Sequence, residues 1–384
     1  MEESGREKAV PGADGRGLEN AVQGTEERAQ GNVVPERKES GQGNVAPAAK
    51  EHGRGGVALV TGTSSGFGML TAVRLARLGW TVYAGMRNPE RGGELMARAR
   101  AAGAAERIRP VRLDVTREDE IRAAVETILA ESGRIDALVN NAGFAAGGFF
   151  EFVPLARWRE QFETNVFGLV AVTQAVLPAM RKQGGGRIVL VGSVSGRIGF
   201  PGLSPYAASK HAVEGLAESL RLELKPFGIF VSIVEPASYR TPIWEKGLRD
   251  AMLPPADSPY APMYRKLQPL FRRSAEGGGD PERVAAAIVR ALTDRRPKLR
   301  YAPGVRERAA LAMKNLAPWS WIEWSILRVL AGAGKADGKQ RPASGEGQHP
   351  AATGEGNHLS ASGGESRPPA AGEEKHPPSP GGLP

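Results

Sequence analysis

Cysteine is absent from this chain of 384 residues, and only five histidines occur. Without a thiol, the protein forms no disulfide, no cysteine-ligated zinc site and no thiolate nucleophile. Four of the histidines lie near the two ends, at positions 52, 349, 358 and 376, and His211 has no second histidine near it in the sequence. We therefore expect no metal site.

Long apolar runs are also missing. No stretch of about 18 apolar residues occurs, so no ordinary transmembrane helix is expected. The first ten residues, MEESGREKAV, lack the apolar core that a secretory signal needs. We predict a cytoplasmic protein, and we leave open a peripheral contact with a membrane through one segment described below.

Both ends of the chain have few large apolar side chains. Residues 1–54 are rich in Gly, Glu, Arg and Pro, and residues 331–384 are rich in Gly, Pro, Ser, Ala and Glu. Such segments bury too little apolar surface to offset the entropy of an ordered chain, so we expect two disordered tails. The remaining residues, 55–330, are enough for one α/β domain.

The formal net charge is +9, and the excess of cations lies between the two slightly acidic tails. The arginines there are spread over many segments instead of being gathered in one run, which does not favour binding to nucleic acid. A basic domain suits an anionic phosphate cofactor or an acidic membrane surface.

Short apolar runs alternate with segments of helical periodicity through the middle of the chain. This alternation predicts parallel strands buried between layers of helices. The predicted strands cover Val57–Val60, Thr81–Gly85, Ile108–Val115, Ile135–Gly143, Ile188–Val191, Ile229–Glu235 and Lys298–Tyr301. We predict an α/β fold, a single Rossmann-type doubly wound domain over 55–304, with a mainly parallel sheet of about seven strands flanked by helices.

The first predicted strand leads into a glycine-rich turn, GTSSGFG, at 62–68. A strand, a glycine turn and a helix together place backbone N–H groups and a helix N-terminus against a phosphate. The spacing here is G-x-x-x-G-x-G, which differs from G-x-G-x-x-G. Because both the strand and the helix are in place, we favour phosphate binding over a simple tight turn.

Arg87 follows the second predicted strand, where an NAD site usually has an acidic residue that accepts from the adenosine ribose. A guanidinium suits a 2′-phosphate on that ribose, so NADP(H) is favoured and NAD(H) is the alternative. In a chain this rich in arginine, a solvated surface residue is the simpler explanation that competes with it.

Polar residues stand at the ends of later predicted strands. Asp114, Asn141 and Ser193 occupy such positions, which face the ligand crevice in a doubly wound sheet. The asparagines at 140–141 are equally able to cap a turn. Asn165 interrupts an apolar part of a helix predicted over 155–182, which marks either a functional position or a satisfied buried amide.

Tyr206 and Lys210 lie four residues apart in a helix predicted over 204–226, so they share one face. A free phenol titrates near pH ~10 and is a weak base at neutral pH. A neighbouring ammonium favours the phenolate and brings it closer to use in catalysis. Pairs of this kind are common in ordinary helices, so the pair has little weight alone.

Two later segments break the alternation of strands and helices. Residues 237–280 lie where a substrate lid would sit, beyond the carboxyl ends of the strands. Residues 305–330 form an apolar helical segment that contains Trp319, Trp321 and Trp324. We expect this segment to pack within or between protein chains, and the alternative is that residues 319–330 make a peripheral contact with a membrane interface.

Taken in this order, the motifs resemble the short-chain dehydrogenase/reductase family across residues 55–300. The matching residues are TGTSSGFG at 61–68, Asp114, NNAG at 140–143, Asn165, Ser193, YAASK at 206–210, and Pro236 followed by Thr241. YAGMR at 83–87, KLRYAPG at 298–304 and the apolar C-terminal region resemble the branch that acts on steroids, retinoids and similar lipophilic carbonyls. Ala237 is a departure, since the family usually has glycine there.

The resemblance implies a role for each matched residue. Tyr206 is the acid in reduction and the base in oxidation, Lys210 lowers the pKa of Tyr206, and Ser193 binds the substrate oxygen. Asn165 holds a water in a proton relay to Lys210. The expected cofactor-binding residues are Gly62, Ser64, Ser65, Gly66, Phe67, Gly68, Arg87, Asp114, Val115, Asn141, Ala142, Gly143, Tyr206, Lys210, Pro236 and Thr241.

We therefore expect an NADP(H)-dependent oxidoreductase that interconverts a carbonyl and an alcohol by hydride transfer. A steroid-, retinoid- or fatty-acyl-like substrate and a homo-oligomer are implied by the resemblance. The alternative is a non-catalytic sensor or scaffold that binds NADP(H). The presence of Ser193, Tyr206 and Lys210 together argues against that alternative.

Overall fold

The computed structural model describes residues 55–332. The disordered tails predicted at the two ends lie outside the described residues, except that 331–332 belong to the last helix. The strands are β1 Val57–Thr61, β2 Thr81–Met86, β3 Ile108–Arg112, β4 Ala137–Asn140, β5 Gly186–Val191, β6 Ile229–Val234 and β7 Arg300–Tyr301. The helices are α1 Gly66–Arg77, α2 Gly93–Ala101, α3 Glu118–Ser132, α4 Leu155–Phe162, α5 Gly168–Lys182, α6 Ser204–Leu224, α7 Pro242–Arg249, α8 Ala261–Glu276, α9 Glu282–Thr293, α10 Val305–Leu316 and α11 Trp319–Gly332.

The seven strands of the described region form one parallel sheet in the order β3-β2-β1-β4-β5-β6-β7. The strand order reverses between β1 and β4. In open sheets of this kind, ligands bind outside the carboxyl ends of the strands at such a point. The predicted Rossmann-type doubly wound α/β fold is confirmed, with a sheet that is wholly parallel.

The sheet is buried on both faces because alternate side chains of a strand point to opposite layers. Ala58 and Val60 of β1 belong to one apolar cluster with residues of α1 and α9, among them Leu75 and Ile288. Leu59, between them, belongs to a second cluster with residues of α3, α5 and α6. The two layers of helices thereby fix the sheet from both sides and hold its carboxyl edge in place.

The fourth strand is shorter than predicted. A strand was expected over 135–143, and the sheet pairing covers only Ala137–Asn140. The backbone N–H groups of Asn141 and Ala142 both donate to Thr61 Oγ1, at 3.0 Å each. Because a side chain has taken over these donors, the ladder ends and the chain turns away from the sheet.

The long helix predicted over 155–182 is interrupted. Helix α4 passes into a π-helical turn at Glu163–Phe167, and α5 follows from Gly168. Such turns insert one extra residue into a helix and occur often at functional sites. Asn165, whose polar side chain was out of place in an apolar stretch, lies in this turn.

The last two predicted segments are helical. Residues 237–280 contain α7 and α8, and residues 305–330 contain α10 and most of α11. Ile322 of α11 is buried, whereas Trp319, Trp321 and Trp324 are 54%, 69% and 59% exposed. Within residues 55–332, no helix is both long and apolar enough to cross a bilayer.

Candidate active site

An open cleft of about 660 Å³ runs along the carboxyl edge of the sheet. Of the site residues predicted from sequence, it is lined by Gly62, Ser64, Ser65, Gly66, Phe67, Arg87, Asp114, Val115, Asn141, Ala142, Gly143, Ser193, Tyr206, Lys210, Pro236 and Thr241. The two others, Gly68 and Asn165, lie behind this lining. One cleft therefore collects residues from the ends of six strands.

The glycine turn after β1 is shaped by a close approach to the turn after β4. A Cβ on Gly62, which has φ +68°, would lie 2.8 Å from the Cα of Ala142. A Cβ on Gly68 would lie 2.4 Å from Asn141 Nδ2. Both glycines are required because another part of the chain occupies the space of a side chain.

Asn141 ties these two turns together. Its Nδ2 donates to the backbone oxygens of Thr61, at 2.8 Å, and Gly62, at 3.1 Å. The neighbouring Asn140 is turned inward, where its Nδ2 donates to Thr173 Oγ1 at 2.8 Å. Asn141 thus braces the cleft wall, as the turn-capping alternative anticipated, and it also faces the cleft.

Asn165 is buried and has both ends of its amide engaged. Its Oδ1 accepts from Phe144 N at 3.1 Å, and its Nδ2 donates to Phe144 O at 3.0 Å and Ser209 Oγ at 3.2 Å. Ser209 in turn donates to Tyr206 O at 2.8 Å. The side chain therefore links the chain after β4 to the helix that carries Tyr206 and Lys210.

Ser193, Tyr206 and Lys210 come together beyond the end of β5. Ser193 Oγ accepts from Ser195 N at 3.0 Å and hydrogen-bonds the Tyr206 side chain. Lys210 Nζ donates to Val191 O at 2.8 Å and lies 5.8 Å from the centroid of the Tyr206 ring. All three side chains are largely buried and still line the cleft.

Burial is the largest influence on the pKa values of Tyr206 and Lys210. Burial raises the pKa of Tyr206, and the hydrogen bond from Ser193 opposes this rise. Burial lowers the pKa of Lys210 to about 8, and the negative charge of Glu214 opposes this fall. The neighbour that lowers the pKa of Tyr206 here is Ser193, so the corresponding role of Lys210 stays a prediction.

The ends of β2 and β3 form the far end of the cleft. Arg87 is exposed there, directly after β2. Strand β3 ends before the predicted 108–115 is complete, because Asp114 N donates to Glu120 Oε2 at 2.8 Å. Asp114 Oδ1 accepts from the N and Oγ1 of Thr116, at 3.0 and 2.9 Å, and so shapes the turn that presents Val115 to the cleft.

Thr241 stands across the cleft from the glycine turn. A Cβ on Gly66 would lie 3.6 Å from the Thr241 side chain. Thr241 Oγ1 is buried and has no hydrogen-bond partner among the described residues. Pro236 O accepts from Val194 N at 3.0 Å, which fixes the end of β6 beside Ser193.

These features fit a nicotinamide dinucleotide. Helix α1 begins at Gly66, and its first turn has no acidic residue to repel a phosphate. The unpartnered hydroxyl of Thr241 is available to a polar group in the cleft. The volume suits a ligand of dinucleotide size, and the strand ends supply polar groups along its length.

Sequence reasoning missed an apolar pocket beside the cleft. This pocket is narrow, with a cavity volume of about 30 Å³, and includes Ala145, Gly148, Leu203, Met252 and Phe271 in its lining. The run FAAGGFF at 144–150 was the available signal, since small residues between aromatics leave room beside a strand end. Sequence reasoning also missed the buried acids Glu214 and Glu235, one of which follows Lys210 by a single helical turn.

A model of the short chain dehydrogenase family matches residues 56–251. Together with the sheet order and the cleft, this match places the protein in a class of nucleotide-dependent oxidoreductases. The chain belongs to the short-chain dehydrogenase/reductase family, whose members use NAD(P)(H) and act on small molecules.

Relatives with known names are similar over most of the described region. The chain is 48% identical over 273 residues to an uncharacterized oxidoreductase, YusZ, of Bacillus subtilis (strain 168), covering 71% of this chain and 96% of that protein. It is 37% identical to retinol dehydrogenase 8 of Bos taurus, covering 68% and 85% of the two chains. It is also 37% identical to human 17-beta-hydroxysteroid dehydrogenase type 1, covering 63% and 76%. The similarity to the steroid and retinoid branch is thereby confirmed.

Solved structures show the same fold. A short-chain dehydrogenase from Streptomyces avermitilis is 36% identical, with a TM-score of 0.59, covering 73% of this chain and 98% of that one. A short chain dehydrogenase/reductase from Burkholderia phymatum, solved in complex with NAD, is 28% identical, with a TM-score of 0.60, covering 71% and 96%.

Proposed function

We propose that this oxidoreductase interconverts a carbonyl and an alcohol on a lipophilic substrate and prefers NADP(H). The observation that carries the proposal is the convergence of Ser193, Tyr206 and Lys210 in the cleft that also holds the glycine turn. The cofactor supplies or accepts the hydride when it is bound, and the protein orients the reactants and moves the proton.

Tyr206 is the proposed acid and base. Because burial raises its pKa, the phenol is protonated at neutral pH and is suited to protonate a carbonyl oxygen during reduction. Oxidation needs the phenolate and is therefore favoured at higher pH. The Ser193 hydroxyl, in hydrogen-bond contact with the Tyr206 side chain, is placed to bind the same substrate oxygen.

Lys210 and Asn165 are the proposed positioning groups. One of the three N–H groups of Lys210 donates to Val191 O, so the other two can donate to hydroxyl groups in the cleft. The Asn165 amide is committed to Phe144 and Ser209. A water held at this position would therefore bind the backbone of the π-helical turn, and the Asn165 side chain would keep that turn in place.

The apolar pocket supports the proposal that the substrate is lipophilic. It adjoins the cleft, with Ala145 and Gly247 in the lining of both. Its remaining wall consists of glycines and of apolar side chains, and the Tyr264 hydroxyl is the one polar side-chain group among the described lining residues. A carbonyl on a long apolar body can place its oxygen near Tyr206 and direct its body towards this pocket, which must widen to admit it because its cavity volume is only about 30 Å³.

Residues 237–280 are the proposed lid over this pocket. Their inner edge is tied to the chain after β4, since Met252 N donates to Gly147 O at 3.0 Å. At the start of the segment, Tyr239 donates to the buried Glu307 of α10 at 2.6 Å. These two contacts hold the chain on either side of α7, and Gly247 within α7 packs against Ala145, since a Cβ there would lie 3.0 Å from Ala145 O.

Arg87 supports the preference for NADP(H). It stands at the end of β2, where an acidic residue would select an unphosphorylated ribose, and it lines the cleft. NAD(H) is the alternative, and the Burkholderia phymatum relative was solved with NAD. Steady-state kinetics with both reduced cofactors measures the preference directly.

A non-catalytic sensor that binds NADP(H) is the competing function. Both functions require the glycine turn, but only an enzyme requires Ser193, Tyr206 and Lys210 to meet. The deciding experiment follows NADPH absorbance with a panel of keto-steroids, retinal, ketoacyl thioesters and simple aldehydes. Turnover supports the enzyme, whereas tight NADPH binding without turnover on any member supports the sensor.

We also propose peripheral contact with an anionic membrane surface through α10 and α11. Leu316 and Trp321 are 86% and 69% exposed, and tryptophan is favoured at membrane interfaces. Arg308 is exposed on the same pair of helices, and Lys314 lies 5.4 Å from the Trp319 ring centroid. Sedimentation with vesicles of neutral or acidic phospholipid tests this contact, and equal recovery with and without vesicles would refute it.

The homo-oligomer implied by the family resemblance stays a prediction. Its measurement is the molar mass of the full chain in solution by light scattering.

A further inference from the structure

A cluster of buried charges lies next to Lys210, outside the lining of the cleft. Glu214 follows Lys210 by one turn of α6 and is 5% exposed, and Glu235 precedes Pro236 and is 1% exposed. Arg300 of β7 lies 3.1 Å from Glu214 Oε2 and 3.8 Å from Glu235 Oε1. Arg197 lies 3.4 Å from the same Glu235 oxygen.

The two buried carboxyl groups are close enough to share a proton, because a hydrogen bond joins their side chains when one of them is protonated. Glu214 Oε1 is buried and accepts from no N–H or O–H group among the described residues when both acids are ionised. A proton on Glu235 supplies the missing donor and creates a hydrogen bond between the two side chains. Burial, together with the charge of Glu214, raises the pKa of Glu235 to about 7. The proton of the pair therefore titrates near neutral pH.

The pair also touches the backbone that carries Ser193. A Cβ on Gly192 would lie 3.3 Å from Glu214 Oε1, and a Cβ on Gly196 would lie 3.1 Å from Glu214 Cγ. Glu214 thus packs against the chain on both sides of Ser193. Glu235 continues directly into Pro236, which lines the cleft.

We propose that Glu214 and Glu235 are positioning residues that keep Lys210 charged and brace the Ser193 turn for proton transfer by Tyr206. This inference rests on the proposed function only in naming Tyr206 as the group that transfers the proton. The charge that Lys210 needs is supplied from behind the cleft, where substrate does not reach.

The sign of the effect follows from the charges that face the pair. These are Lys210 and Glu218 on α6, Arg197 after the Ser193 turn, and Arg300 on β7. Burial lowers the pKa of Lys210 to about 8, and the negative charge of Glu214 opposes that fall. As pH rises through 7, the pair loses its proton and becomes more negative, which favours the ammonium of Lys210.

The first test is the pH profile of kcat/KM for carbonyl reduction. In Glu214→Gln the charge next to Lys210 is gone, so the alkaline limb moves to lower pH by about half a unit to one unit. In Glu235→Gln the amide donates permanently to Glu214, so activity at low pH is retained and the response near pH 7 disappears. Glu235→Leu removes that donor. We expect this variant to lose both the activity at low pH and the response near pH 7.

Glu218→Gln is the matched control. Glu218 is one turn further along α6 and is 56% exposed, and it shares the Arg300 guanidinium with Glu214, so its substitution removes a neighbouring negative charge that is open to solvent. Its pH profile is expected to follow that of wild type. An alkaline limb that is the same in wild type, Glu214→Gln and Glu218→Gln would overturn the proposal, as would equal displacement of the limb in both variants.

A second readout does not depend on turnover. The infrared band of a protonated carboxyl group should titrate near pH 7 in wild type and be absent in Glu235→Gln. If this band titrates and no carbonyl substrate is reduced, the acid pair stands and the proposed reaction fails. If reduction occurs and the band never appears, the reaction stands and the acid pair is refuted.

Discussion

A side chain at Gly68 would collide with the amide of Asn141, since a Cβ there would lie 2.4 Å from Asn141 Nδ2. This amide also donates to the backbone oxygens of Thr61 and Gly62. The turn after β1 and the turn after β4 are therefore joined directly across the point where the strand order reverses. The width of the cleft beside the glycine turn therefore depends on this contact.

Gly68→Ala is expected to widen this end of the cleft and to destabilise the protein by about 1–3 kcal/mol, because the methyl group would displace both the Asn141 amide and the Gly62 carbonyl oxygen, which lies 2.5 Å from the Cβ position. Cofactor affinity falls with it. Gly93→Ala is the matched control, since a Cβ at Gly93 meets nothing within 4 Å. Chemical denaturation and NADPH titration measure both effects. Equal stability and equal affinity in the two variants would contradict the bracing role of Asn141.

Tyr206→Phe removes the proposed acid and leaves the ring in place. We expect kcat to fall by a factor of at least about 100 to 10,000, the range usually lost with a general acid. NADPH binding should change little, because the phenolic oxygen is one of many groups along the cleft. Stopped-flow kinetics and cofactor fluorescence report the two quantities separately. Turnover near that of wild type would exclude Tyr206 as the acid.

Arg87→Asp tests the choice of cofactor. A carboxylate repels a 2′-phosphate and accepts from a 2′-hydroxyl, so the ratio of kcat/KM for NADPH to that for NADH should fall by at least about tenfold. Arg91→Asp, which changes an exposed arginine in the turn that follows, is the charge-matched control. An unchanged ratio in Arg87→Asp, or the same shift in both variants, would count against a contact between Arg87 and the phosphate.

The fold was predictable because its signals are local and periodic. The apolar run Val57–Val60 predicts a buried strand, and the glycines that follow predict a phosphate-binding turn. Neither prediction depends on distant parts of the sequence. The limits of that approach show at β4, which ends early because Thr61 Oγ1, far away in sequence, captures two of its backbone donors. The run IDALVNNAG contains no periodicity that predicts these hydrogen bonds to Thr61 Oγ1.

Some features of the candidate site were likewise predictable from the sequence, and others depend on the folded structure. Tyr206 and Lys210 were recognisable by their spacing and by the motif around them. Burial affects the pKa of Tyr206 more than the neighbouring groups do. This balance depends on how densely the folded chain surrounds the side chain. Glu214 and Glu235 were overlooked because an acid on a helix face or at the end of a strand usually faces solvent, and only the fold brings Arg197 and Arg300 to them.

Ala251→Leu tests whether the apolar pocket receives the substrate body. Ala251 lines the pocket, and a Cβ on Gly147 would lie 3.3 Å from its side chain, so there is little spare room beside it. The added bulk should raise KM for a long or polycyclic carbonyl substrate by about tenfold and leave a short aldehyde unaffected. Leu253→Ala, at a neighbouring position that is 57% exposed, is the control. If both substrates respond equally to Ala251→Leu, the pocket does not hold the substrate body, and the lipophilic preference must be sought elsewhere in the cleft.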